Sequence, residues 1–186
     1  LTAATLNTIL KYTYPSSHKK TEEITSKKVG YFFAEEEAFK TVTEITGAGT
    51  SRHPLTFILE AADDIAYLVA DMEDAIGKGV ISFRDVREFL IENLSTDVYN
   101  APHSVHTREV LTTIDEKVFS VNRFFVDLRD KLIDGARHNF VNHYDEIMAG
   151  TFNQDLFKNS WAEDLYVILR RLSEEKIYDH KGILRL

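Results

Sequence analysis

The 186-residue chain contains no cysteine, which excludes disulfides, thiolate zinc sites and cysteine nucleophiles. That composition suits a reducing compartment, and a cytoplasmic location is the expectation. No stretch approaches the roughly 18 consecutive apolar residues of a membrane span, and no signal-peptide pattern opens the chain, so no membrane association is predicted. Positive charge is also short: the formal net charge is −8 and the pI near 5.4. A general nucleic-acid footprint needs a basic face, so nucleic-acid binding is not indicated, although a local patch remains compatible with the balance. An acidic chain that binds an anion must gather its Lys and Arg locally. P-loop, Gly-rich dinucleotide and nucleophile-elbow patterns are absent, which removes support for kinase-like and dehydrogenase readings. There is no internal repeat of 20 to 50 residues and no low-complexity segment.

What is present reads as helix. Hydrophobic residues make up 44% and charged residues 28%, enough apolar material for one packed domain of this length. Apolar spacing near 3.6 predicts a helix over residues 1–12, followed by a polar loop "TYPSSHKKTEEITSKK". "EEEAFKTVTEIT" is a short helix with acids in its first turn, where the helix dipole favours them. After the break "GAGTSRHP", Pro54 is placed as the first residue of a helix that runs to about Ile76 and stops at "GKG". Ser82 then caps "SFRDVREFLIENL". A long periodic stretch from about Thr107 to Met148, softly broken near Gly135, and "NQDLFKNSWAEDLYVILRRLSEEKIY" supply the rest. Alternating strand patterns are scarce, so an all-α, multi-helix bundle is predicted.

The stretch "EAADDIAYLVADMEDA", residues 60–75, carries many acids and no Lys or Arg. At about 100° per residue, Ile58, Ala62, Ile65, Val69, Met72 and Ile76 form one stripe, the predicted core face. Glu60, Asp63, Asp64, Tyr67, Asp71 and Asp74 gather on the other side. A solvated acidic face is one reading. Such a face normally interleaves Lys or Arg at i+3 and i+4, because like charges at that spacing destabilise a helix. The other reading is a site completed by a cation or by the donors of a ligand.

Residues 52–75, "RHPLTFILEAADDIAYLVADMEDA", resemble the signature of the HD-domain deoxynucleoside triphosphate triphosphohydrolases, most closely the bacterial dGTPase branch. "LTAATLNTILKYTYP", "KKVGYFFAEEEAF" and "LRDKLIDGARHNFVNHYDEIMAGTF" resemble flanking segments of that family, so the likeness covers most of residues 1–157. It implies hydrolysis of a dNTP, dGTP first, to a deoxynucleoside and inorganic triphosphate. Attack falls on the α-phosphorus, by water activated at a divalent metal, Mg²⁺ or Mn²⁺, held by an H…HD…D set. Asp63 matches the last Asp of that set and is the implied metal ligand. Tyr67 and Asp71 match positions lining the deoxyribose, with Tyr67 crowding a 2′-hydroxyl. Asp64 matches the double Asp and is assigned only a role in supporting the metal ligands from behind or in positioning the helix. Lys11, Lys28 and Arg129 match basic positions implied to contact phosphate, and each is alternatively a plain surface charge; Lys27 could exchange roles with Lys28. Family members assemble as multimers, so a homo-oligomer is implied.

The chain also departs from the family. It has no "HD" dipeptide, and none of its seven His stands in a setting like the family's upstream metal ligands. Two His and one Asp are missing. With a start at Leu1 rather than Met, the expectation is that residues 1–186 form a single helical region from the C-terminal part of a longer enzyme, folded yet inactive alone. "RHP" reads as a helix start rather than chemistry. His103 and His106 in "HSVH" read as surface residues, with His138 and His143 the other histidines to weigh as ligands. The competing functional reading is a non-catalytic helical regulatory or scaffold domain.

Overall fold

The computed structural model describes residues 1–18, 20–97 and 121–178, with backbone alone for 94–97. The described elements are α1 (Ala3–Thr8), a 3₁₀ turn (Phe33–Glu35), α2 (Glu36–Thr46), α3 (Pro54–Gly77), α4 (Phe83–Asp97), α5 (Val121–Asn142), α6 (Tyr144–Met148), α7 (Glu163–Leu172) and a π-helical turn (Ser173–Tyr178). Among the described residues the only β pairing is an isolated parallel bridge between Pro15 and Tyr31. The protein is therefore a helical bundle, as the periodicity predicted. None of the described helices is long and apolar enough to cross a membrane. His103, His106 and the expected helix start near Thr107 lie outside the described residues.

Three local expectations are corrected. The helix predicted over residues 1–12 covers only Ala3–Thr8, capped at its start by the Thr2 hydroxyl, which accepts the Thr5 N–H at 3.2 Å. Beyond Thr8 the bonding is no longer α-helical: the Leu10 N–H goes to the Asn7 carbonyl at 3.0 Å and the Lys11 N–H to the Ile9 carbonyl at 3.2 Å, so the Lys11 carbonyl lies outside the helix. That carbonyl instead accepts from Arg52 Nε at 2.7 Å. The predicted core stripe of α3 is also shifted at its N-terminal end, where Ile58 is 44% exposed and Ala62 is exposed while Phe57 and Ala61 are buried. Phe57 takes the inward place because Phe152 meets it edge-on at 5.4 Å and the Arg52 guanidinium covers it at 5.6 Å. From Ile65 the stripe holds through Val69 and Met72, with Leu68 and Ala75 buried beside it, while Ile76 is only half-buried. Finally, α5 is unbroken at Gly135, and the interruption comes at His143. Gly135 is there for close packing: a Cβ on it would lie 2.3 Å from the Ala162 Cβ.

Pro54 and Ser82 act as predicted. Pro54 is the first residue of α3. Ser82 Oγ accepts the Asp85 N–H at 3.1 Å while Asp85 Oδ2 accepts the Ser82 N–H at 3.0 Å, a reciprocal cap for α4. Donation by the Ser82 hydroxyl to Asp85 Oδ2 at 2.6 Å, and then by the Ser82 N–H, holds the Asp85 carboxyl below its ordinary range.

The chain divides into two compact units, each with its own core. The first comprises Leu1–Ala62 with Arg137–Lys158, and the second Asp63–Ala136 with the chain after Lys158. Ile24, Phe39, Phe57, Ile147, Phe152 and Phe157 fill the first. Asn139, buried within it, donates to the carbonyls of Leu156 at 2.9 Å and Lys158 at 3.2 Å. Val69, Met72, Leu90, Phe125, Leu132 and Leu169 fill the second.

Candidate functional site

In the first unit the cations meet around one ring and one carboxylate. Arg52 is 3% exposed and spends its fork on three acceptors: the Lys11 carbonyl, Glu60 Oε2 at 2.5 Å and the Ile24 carbonyl at 3.2 Å. Lys11 Nζ stands 3.9 Å from the other Glu60 oxygen. The Arg52 guanidinium and Lys28 Nζ both lie over Tyr12, at 5.8 and 5.9 Å from the ring centroid. Lys11, Lys28 and Arg52 thus share a neighbourhood with Glu60 as its carboxylate, a positive concentration in an acidic chain. Lys27 is exposed beside Lys28. The "RHP" arginine lies two residues before α3 and ties the loop carbonyls of Lys11 and Ile24 to Glu60 on that helix.

In the second unit several acids of the same helix are held by groups far away in sequence. Asp63 is exposed, Tyr67 is 56% exposed and Asp71 is half-buried, each one turn after the last on α3. Tyr166 on α7 donates its hydroxyl to Asp64 Oδ2 at 2.7 Å, with the Arg170 guanidinium 5.8 Å from the Tyr166 ring centroid. Tyr178 donates its hydroxyl to Asp71 Oδ2 and stacks on Tyr67 with centroids 5.9 Å apart. Partial burial, and then the Asp71 carboxylate and Tyr67, push the Tyr178 phenol far above its ordinary value, so it stays a donor. Arg129 pairs with Glu73 at 3.2 Å, and Asp74 with Lys78 at 3.1 Å.

The acids that lack a basic neighbour within one turn therefore have partners after all. Arg52 answers Glu60 from eight residues upstream, and two tyrosines answer Asp64 and Asp71 from 102 and 107 residues downstream. Sequence reasoning missed both tyrosines, because the spacing rules it used reach only three or four residues. Nothing in the local pattern around Tyr166 or Tyr178 marks them. His143, at the joint between α5 and α6, pairs with Glu146 at 3.2 Å, and His138 contacts Asn142 at 3.1 Å. Among the described residues no three His, Asp or Glu side chains gather into a metal-binding group.

No family model matches the chain. Curated proteins do: it is 40% identical, over 99% of its own length, to a "Deoxyguanosinetriphosphate triphosphohydrolase-like protein" from Listeria monocytogenes and equally to one of the same name from Listeria innocua. It spans 40% of the length of each. The alignment with each relative runs over 192 residues, so it takes in α3 with its acidic face, the loops that carry Lys11 and Lys28, and α7. A likeness of that extent, running along nearly the whole chain, places it in the deoxynucleoside triphosphate triphosphohydrolase family, among the deoxyguanosinetriphosphate triphosphohydrolase-like proteins.

Proposed function

We propose that the chain forms part of a metal-dependent hydrolase that converts a dNTP, with dGTP preferred, into a deoxynucleoside and inorganic triphosphate. The observation that carries this reading is the run of Asp63, Tyr67 and Asp71 along one face of α3 in a chain 40% identical to proteins bearing the dGTP triphosphohydrolase-like name. Positions i, i+4 and i+8 climb a single helix face, so a carboxylate can stand at one end of a nucleotide and a sugar-binding pair at the other. Tyr67 gives the sugar a flat wall. Asp71 offers an acceptor for a sugar hydroxyl. Lys11, Lys28 and Arg129 are assigned to the triphosphate, whose charge an acidic chain must meet with chosen cations. The gathering of Lys28 with Arg52 over Tyr12, and of Lys11 with Arg52 at Glu60, supports this for the first two.

Asp63 supplies one hard oxygen donor, the type that suits Mg²⁺ or Mn²⁺. A single carboxylate does not make a divalent site, and the described residues bring no further group of ligands to it. The other ligands must come from outside the described residues. When bound, the ion would offset phosphate charge and make water a better nucleophile. The absence of cysteine supports a cytoplasmic setting, and assembly as a homo-oligomer belongs to the same proposal.

The alternative, a non-catalytic helical scaffold, is favoured by one observation: Glu60, Asp64 and Asp71 are already engaged inside the protein. Asp63→Asn separates the two. In the full-length protein carrying this chain, with dGTP and Mg²⁺ or Mn²⁺, deoxyguanosine release followed by chromatography is expected to fall to a few per cent or less. An amide cannot supply the anionic charge the ion needs. Retained activity would remove Asp63 from the metal shell, and no release by the unsubstituted protein would leave the scaffold.

A further inference from the structure

The two tyrosine tethers on α3 are spaced in a way that ordinary helix geometry does not provide. Asp64 and Asp71 are seven residues apart, so they project from α3 within about 20° of each other. Tyr166 and Tyr178, which donate to them, are twelve residues apart on α7 and the turn that follows it. Twelve α-helical residues would rotate Tyr178 by about 120° away from Tyr166. The six residues Ser173–Tyr178 are π-helical, and i→i+5 bonding winds them at about 4.4 residues per turn, or about 80° each. The total rotation then returns Tyr178 to within about 20° of the face that carries Tyr166. Burial of Leu169, Leu172 and Ile177 fixes this stretch. The wide turn thus brings the second tyrosine onto the second aspartate.

We propose that Tyr178 is a positioning residue for the sugar end of the site, holding the Asp71 carboxylate so that its other oxygen faces a deoxyribose 3′-hydroxyl while its ring braces Tyr67. This rests on the functional reading above and deepens it. With Oδ2 of Asp71 accepting from the Tyr178 hydroxyl, Oδ1 keeps both of its lone pairs for a ligand, and the bond restrains rotation of the carboxylate plane. Tyr67, one turn before Asp71, is stacked on one side by the Tyr178 ring at an interplanar angle of 29°. A single side chain therefore orients both members of the sugar-binding pair. Asp64 and Tyr166 form the equivalent tether one face-repeat earlier, beside Asp63.

The test uses the full-length protein carrying this chain, with dGTP and with 2′,3′-dideoxyguanosine triphosphate, which lacks the 3′-hydroxyl. Tyr178→Phe keeps the ring and deletes the hydroxyl. It is expected to lower kcat/KM for dGTP by about tenfold, the scale of a hydrogen bond to a charged group, chiefly through KM. The dideoxy substrate should change by less than about twofold, because it makes no bond to Asp71. Added to Asp71→Asn, Tyr178→Phe should cost nothing further, since both act through one carboxylate. Equal losses on both substrates, or additive losses in the double variant, would reduce Tyr178 to a structural contact and overturn the inference while leaving dNTP hydrolysis intact. Loss of the helical circular dichroism signal in Tyr178→Phe would overturn it as well, because the ring should suffice for folding. If the unsubstituted protein hydrolyses neither substrate, the functional reading fails and this inference falls with it.

Discussion

Arg52→Lys keeps a positive charge at the start of α3 and should nevertheless cost about as much as a core truncation. The guanidinium is almost fully buried and makes three bonds at once: to the Lys11 carbonyl at 2.7 Å, to Glu60 at 2.5 Å and to the Ile24 carbonyl at 3.2 Å. A lysine ammonium is a compact point donor on a flexible stem and cannot span three acceptors placed for a planar fork. If it keeps Glu60, the two carbonyls lose their donor. A hydrogen bond to a charged group contributes about 1.5–3 kcal/mol, and partial relaxation or entry of water recovers some of it. The expected loss is about 3 kcal/mol. Equilibrium urea denaturation followed by far-ultraviolet circular dichroism reads it directly. With a slope of about 2 kcal/mol/M, the midpoint for unfolding of the first unit should fall by roughly 1.5 M. A shift worth less than about 1 kcal/mol would show that the two carbonyls do not depend on the fork, and that Arg52 is no more than a partner for Glu60.

On the proposed reading, in which the Tyr67 ring crowds a 2′-hydroxyl, Tyr67→Ala in the full-length protein carrying this chain should narrow the preference for dGTP over GTP by roughly tenfold with some general loss of activity. Initial rates on the two nucleotides measure this, and an unchanged ratio would put the sugar filter elsewhere. Gly135→Ala should destabilise the second unit despite improving helix propensity by up to about 1 kcal/mol. The new Cβ would lie 2.3 Å from the short, rigid Ala162 side chain, and overpacking of that kind costs about 1–3 kcal/mol. A urea midpoint equal to or above that of the unsubstituted chain would refute the close approach.

Local pattern alone determined the helical class, the start of α3 at Pro54 and the cap at Ser82, because periodicity, proline and capping act within a few residues. It also determined which residues share the exposed face of α3, since the phase of a helix is set by its own geometry. Resemblance, rather than pattern, supplied the family. Tertiary structure decided what local rules cannot reach. Arg52 holds the Lys11 carbonyl in the loop after the short α1, an aromatic contact between Phe57 and Phe152 turned the first buried stripe of α3 by one residue, and the Ala162 contact explained Gly135. It decided the charge question too. The acids of α3 look uncompensated within one turn, but Glu60 is met by Arg52 and Asp64 and Asp71 by Tyr166 and Tyr178, over separations at which sequence spacing carries no information. A π-helical turn sets the phase of the last of these, and its wider winding follows from packing rather than from any residue preference that the sequence displays.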